Sequence, residues 1–249
     1  MAAYFVFLSP ILVSVTEFFL KDANEFNEYD IYGYTVTNYS LILTIKAVRK
    51  VFEGLAFSVC HLTALLYYML CGAICCRINN LQKTILNVSA ENFKRPIQIT
   101  VIEQQKDIFT FLKQMEDTFS VSIFLAISSY FWLCFFCTGF LTVIDMSLKE
   151  TFFKFQYIFM FFSNFVPLVL VTWQAAQVSI ELDALKEDIS EKMDARYLRG
   201  LKSETEIDRS LFEKPSVVLS GLGIIHFSRS LILGILGTLI TYALLMINV

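Results

Sequence analysis

Charged residues are too few here to cover a water-facing surface: Asp, Glu, Lys and Arg make up 17% of 249 residues against 56% hydrophobic ones, and the mean hydropathy is +0.59. A soluble domain carries roughly 25% charged residues, so this composition places the chain in a bilayer. Glycine and proline are also scarce, nine and four, which excludes collagen-like and low-complexity chains. Basic residues do not outnumber acidic ones, 20 against 23. Without clustered cations there is no electrostatic footprint for nucleic acid. Only His61 and His226 supply imidazole, and no phosphate-cradling glycine loop, zinc-protease helix or nucleophile motif accompanies them. The chain is therefore read as no enzyme, with no cofactor and no metal.

Six cysteines are present, Cys60, Cys71, Cys75, Cys76, Cys134 and Cys137. All lie inside apolar runs, so a disulfide framework on extracellular loops has nothing to pair. Cys134 and Cys137 form a C-x-x-C, but no second ligand pair lies near it, and packing is the reading taken. Cys75 and Cys76 adjoin Arg77 at the end of a span, where both palmitoylation and helix packing suit them.

What is abundant is uninterrupted apolar sequence. A hydrocarbon core about 30 Å thick needs roughly 20 mostly apolar helical residues. Four charge-free intervals reach that length: between Glu53 and Arg77, between Asp117 and Asp145, between Lys154 and Glu181, and after Arg229. A fifth run ending at Leu20 contains Pro10 and Glu17. It lacks the basic amino end and small-residue cleavage site of a secretory signal, and is read as a membrane helix. The expected fold is all-α, a polytopic membrane bundle of about five transmembrane helices with helical extensions into the cytosol.

The segments between spans are patterned too. Val101, Ile108, Phe111, Leu112, Met115 and Phe119 recur at helical spacing among charged residues, as in an amphipathic helix that runs straight into a span. Val178, Leu182, Leu185, Ile189, Met193 and Tyr197 repeat the arrangement after the next span. Such stripes are read as packing against other helices in a cytosolic bundle, and, being too large to stay solvated alone, as seams expected to hold subunits together. Residues 77–94 continue another span until Pro96 breaks it. Ser203, with Glu206 as capping-box partner and Pro215 as terminator, marks a short helix. Lys and Arg are spread with almost no bias between the two sides, so charge alone does not settle topology. The sequons at Asn38 and Asn87 fall on opposite sides of any model with one span between them, and Asn38 is the glycosylation candidate.

The last thirty residues, LSGLGIIHFSRSLILGILGTLITYALLMIN, resemble the C-terminal signature of the arthropod gustatory receptor family, part of the insect chemosensory receptor superfamily. That family ends its last helix with Thr-Tyr, five apolar residues, then Gln and usually Phe. Here the positions are Thr241, Tyr242, the run Ala243 to Ile247, Asn248 and Val249, with Asn in place of Gln. Arg229, Ser230, Gly234 and Gly237 also stand where the family pattern places such residues. The layout is similar to the last five of the family's seven spans: 1–20 as helix three, 54–95 as helix four, 101–144 as helix five, 153–199 as helix six, and 203–249 as a short cytosolic helix (203–214) followed by the pore helix seven (221–249). The expectation is a member, or a fragment of one, lacking two amino-terminal spans.

The resemblance implies a multi-pass plasma-membrane protein, a homo- or heterotetrameric cation channel of related subunits gated directly by a small tastant. It implies that Leu245, Asn248 and Thr241 stand at the pore and gate. On the outer halves of helices four to six it points to His61, Trp132, Phe136, Tyr157, Phe161 and Asn164 as a ligand cleft, besides lipid contacts. Two other readings accompany this one: a truncated or non-conducting member that acts only in assembly, and a transporter-like protein. The latter lacks internal repeats, with Pro167 as the strong interior helix breaker.

Overall fold

A computed structural model describes residues 39–143, 148–200 and 218–247. Within them the chain forms helix α1 (Tyr39–Asn87), α2 (Arg95–Val143), α3 (Leu148–Leu198), a hairpin of β1 (Ser220–Gly221) and β2 (Ile225–His226), and α4 (Arg229–Ile247). The architecture is an all-α bundle, and four of its helices are long and apolar enough to cross a membrane. The run 1–20 and the expected short helix 203–214 lie outside the described residues.

Three of the four helices are far longer than a bilayer. α1 and α2 have 49 residues each and α3 has 51, lengths of about 75 Å at 1.5 Å per residue. More than half of each therefore extends past the hydrocarbon, and what stabilises those extensions is a shared seam. Cys71, Ile74, Ile78, Leu81 and Ile85 of α1 are buried, as are Val101, Ile108, Leu112 and Met115 of α2 and Val178, Leu182, Leu185 and Ile189 of α3. With Gln105 between Val101 and Ile108, the steps alternate between three and four, the spacing of a coiled-coil seam.

Of the two readings of the stripes, the structure shows helices packed in a bundle within one chain. Leu185 and Ile189 are 0% and 2% exposed within a single chain, so this part of the stripe is closed inside the subunit, while Tyr197 at its end is exposed. Periodicity identifies a face that must be buried without identifying its partner. The partner is decided by the short connection 88–94, which returns α2 antiparallel along α1, and by α3, which packs against both. Gln105 occupies a seam position at 1% exposure with neither amide atom hydrogen-bonded.

Several boundaries differ from the expected ones. The helix expected over 54–95 begins at Tyr39 and ends at Asn87. Pro96 sits in the first turn of α2, where a missing N–H costs nothing, so it opens the next helix and does not end the previous one. The connection is fixed from across the bundle: buried Arg196 of α3 donates Nη1 to the Ala90 carbonyl at 2.8 Å, and Arg199 pairs with Glu91 at 3.2 Å. The helix expected from residue 221 starts at Arg229. Before it, Leu222 and Gly223 take φ of 56° and 67°, and the Ile224 N–H donates to the Gly221 carbonyl at 3.0 Å. Two successive positive φ values make the tight turn that suits a two-stranded ribbon.

Candidate functional site

α4 is the most apolar of the four candidate spans and the least buried, with Leu239 its one buried side chain. Helical spacing divides it into three faces. One packs on the bundle: Ile235 lies against the core, and the Tyr242 ring stacks on Phe135 with centroids 3.7 Å apart. A second face is uniformly large and apolar, with Leu233, Ile240, Leu244 and Ile247 all exposed.

The third face differs in kind. Gly234, Gly237, Thr238, Thr241 and Leu245, with Tyr242 at the margin, line an open groove along the helix. Thr238 Oγ1 donates to the Gly234 carbonyl at 2.9 Å and Thr241 Oγ1 to that of Gly237 at 2.8 Å. Each hydroxyl proton is thus used within the helix, while the oxygen lone pairs stay on the groove surface. Thr241 and Leu245 are exposed on this face, Leu245 one turn nearer the carboxyl end. Asn248 lies outside the described residues, as does Asn38.

Tyr242 is held closely. A methyl group at Gly139 of α2 would meet its Oη at 2.8 Å, a separation below ordinary contact, so the helices approach this near only because residue 139 has no side chain. The Thr-Tyr pair therefore divides its work: Tyr242 docks α4 on α2 and Thr241 faces the groove.

At the amino end of α4, the Arg229 guanidinium lies 4.6 Å from the Trp173 ring centroid. Arg229 Nη2 also donates to Gln177 Oε1 at 2.9 Å. A cation and an indole at one level on two neighbouring helices are the residue types that anchor at a membrane boundary.

The expected ligand cleft is divided by the structure. His61 is fully buried, with Nδ1 3.0 Å from the Phe57 carbonyl and Nε2 3.4 Å from that of Ser163. Asn164, beside Ser163, is buried and donates Nδ2 to the Met160 carbonyl at 2.7 Å, while its Oδ1 has no hydrogen bond. Tyr157 is half-buried and stacks on Phe140 at 4.9 Å. Phe161 is half-buried and stacks on Phe165 at 5.4 Å. Trp132 and Phe136 are not part of this group. Each is 57% exposed, on the side of α2 turned away from His61.

Sequence reasoning missed Tyr130, whose ring meets His61 edge-on at 5.0 Å. It is 1% exposed with its hydroxyl unpaired. Its signal in the sequence was spacing: Tyr130 lies seven residues after the seam position Ile123 and so falls on the buried face. Above this level Cys134 and Cys137 remain buried, while Phe52, Leu55, Phe140 and Phe155 are exposed. No group of His, Cys, Asp and Glu among the described residues is arranged to hold a metal ion, and the buried cysteines pack in the core.

Comparison with known families matches this arrangement to one of them. The family model described as "Trehalose receptor" matches residues 15–249. No curated protein matches the chain. With the match running through α1 to α4 and the Thr-Tyr motif, this multi-pass membrane chain belongs to the trehalose receptor family of insect gustatory receptors.

Proposed function

We propose that the chain is a subunit of a ligand-gated cation channel in the plasma membrane, with α4 from each of four like or related subunits lining the pore. The observation that carries this reading is the groove face of α4, where two glycines and two threonines lie exposed on an otherwise apolar helix. Lipid tails offer the threonine oxygens no partner, whereas a water-filled lumen does. The glycines leave room there, and Leu245 is the one large apolar side chain on that face. Four such leucines form a constriction that dewets when closed. Asn248, three residues on, supplies a polar ring beyond it, and α1, α2 and α3 correspond to family helices four, five and six.

The ligand is a small polar tastant. The matched family's description names trehalose, a polyhydroxylated disaccharide, and this is the compound to test first. Its hydroxyls suit Tyr130 Oη and Asn164 Oδ1, which are buried without a hydrogen bond, once the helices part to admit it. Tyr157 and Phe161 supply aromatic walls of the kind that bind sugar faces. Trp132 and Phe136, facing outward, serve lipid or subunit contacts.

Leu245→Ser wets the constriction, so cells expressing the variant at their surface should pass a ligand-independent cation leak. Leu244→Ser, on the neighbouring apolar face, should give at most a small one. Equal leaks from both, or none from either in an assembled surface complex, would leave the non-conducting assembly role as the better reading.

A further inference from the structure

We infer that Arg229 is the residue through which α3 moves the pore helix, a positioning residue for gating; the inference rests on the pore reading above. α4 packs on the bundle along one face through Ile235 and Leu239, and specific side-chain contacts hold it at its two ends. At its outer end Tyr242 docks on Phe135 and Gly139 of α2. At its root two different attachments meet.

The first attachment is to α2, through the hairpin. Ser220 Oγ donates to Glu116 Oε1 at 2.8 Å, and the Leu222 N–H donates to Ser120 Oγ at 2.7 Å. A Cβ at Gly221 would lie 3.2 Å from Phe124 Cβ, so the ribbon is seated directly on the helix. The second attachment is to α3 and runs through one cation. The Arg229 guanidinium lies over Trp173 at 4.6 Å and donates to Gln177 at 2.9 Å. Gln177 Nε2 in turn donates to Glu181 Oε1 at 2.7 Å. Residues 173, 177 and 181 lie one turn apart on one face of α3. The amide of Gln177 therefore links the guanidinium to a carboxylate it does not touch, which orients Arg229 more firmly than the stacking contact alone.

The placement of this clamp on α3 gives it a role. Above it on the same helix lie Tyr157, Phe161 and Asn164. Between the two levels stands Pro167, which lacks the N–H that would bond the Ser163 carbonyl, and helices bend at such positions. A ligand that favours one bend over the other at the upper half of α3 swings the lower half. Arg229 passes that swing to the root of α4, 16 residues before Leu245, or about 24 Å along the axis. The hairpin on α2 is the fulcrum.

The test needs neither ligand nor current. Spin labels are placed on the full chain in detergent at the exposed positions Leu125 of α2 and Ile247 of α4, with accessible Cys60 and Cys76 replaced by Ser, and their separation is measured by pulsed electron resonance. Pro167→Ala restores the missing backbone bond and straightens α3, and should move the α4 label by about 1–2 Å, the size of helix shifts at packed interfaces. In the Arg229→Ala background the same substitution should no longer move it, and Arg229→Lys should recover part of the movement. The same displacement with and without Arg229, or none from Pro167→Ala in the parent, overturns the inference. Currents provide a second readout: Arg229→Ala should lower apparent trehalose sensitivity about tenfold, within the usual range of coupling between sites. Label movement that depends on Arg229, in a protein with no Leu245→Ser leak, means that the pore reading fails while the coupling stands.

Discussion

His61 of α1 lies against the α3 carbonyl that Pro167 leaves without its helical partner: Nε2 is 3.4 Å from the Ser163 oxygen, four residues before the proline. The other ring nitrogen is 3.0 Å from the Phe57 carbonyl, and a neutral imidazole donates to only one of the two at a time. The histidine and the proline are thus complementary, one creating an unpaired acceptor and the other approaching it.

That complementarity predicts non-additive stability. His61→Ala should destabilise the protein by about 1–3 kcal/mol, the cost of leaving a buried polar group unpaired. In the Pro167→Ala background, where the restored backbone N–H at position 167 bonds the Ser163 carbonyl, the same change should cost clearly less. Thermal unfolding in detergent of the two single variants and the double variant measures the difference. Equal losses in both backgrounds would mean that His61 contributes packing alone.

Gly139 and Tyr242 form a second such pair. Gly139→Ala should loosen α4 from α2, because the new methyl group meets the tyrosine oxygen at 2.8 Å while the nearest ring carbons stay at 3.5 and 3.6 Å. A cost of about 1–3 kcal/mol is expected for overpacking of this size. Tyr242→Phe removes the clashing atom and should restore most of the loss when combined with Gly139→Ala. Proteolytic release of α4, followed by gel electrophoresis, reports the docking.

Because the seam lies within one chain, Leu185→Asp should unfold the extensions before it alters assembly. A buried, unpaired carboxylate on a seam this tight should cost more than about 3 kcal/mol. The expected observation is loss of expression or a large fall in melting temperature. A folded monomer produced from an otherwise stable oligomer would instead place the stripe between subunits.

The α4 faces predict a pattern of reactivity. Cysteines at Thr238 and Thr241, on the groove side, should react with a water-soluble thiol reagent in membranes, whereas one at Leu239, buried against the bundle, should not. Ile240, on the apolar face, should stay slow despite its exposure within one subunit. Rapid labelling at 240 together with silence at 238 and 241 would exchange the pore and lipid faces.

Much of the fold was legible because bilayer thickness and helical period are local constraints. The apolar intervals bounded by Glu53, Arg77, Asp117, Lys154 and Arg229 are long enough to mark the spans without reference to any partner. The Thr-Tyr motif near the carboxyl end marked the family in the same local way. The site was less legible. Trp132 and Phe136 read as cleft aromatics although they face outward, while Tyr130, in the same helix, was passed over. A sequence states that a residue is apolar or aromatic, but which side of α2 meets α1 depends on how three helices register against one another.

The sequence by itself determined that this protein spans a membrane several times and that its spans continue as amphipathic helices, since composition and periodicity follow from residue chemistry alone. Only the tertiary structure decided that Leu185 and Ile189 close a seam within one subunit, that Tyr242 docks while Thr241 faces a groove, and that Arg229 meets Trp173. The first depends on a short turn at 88–94 and the second on a side chain missing at Gly139. Each acts on a residue far away in sequence, and packing alone brings the two together.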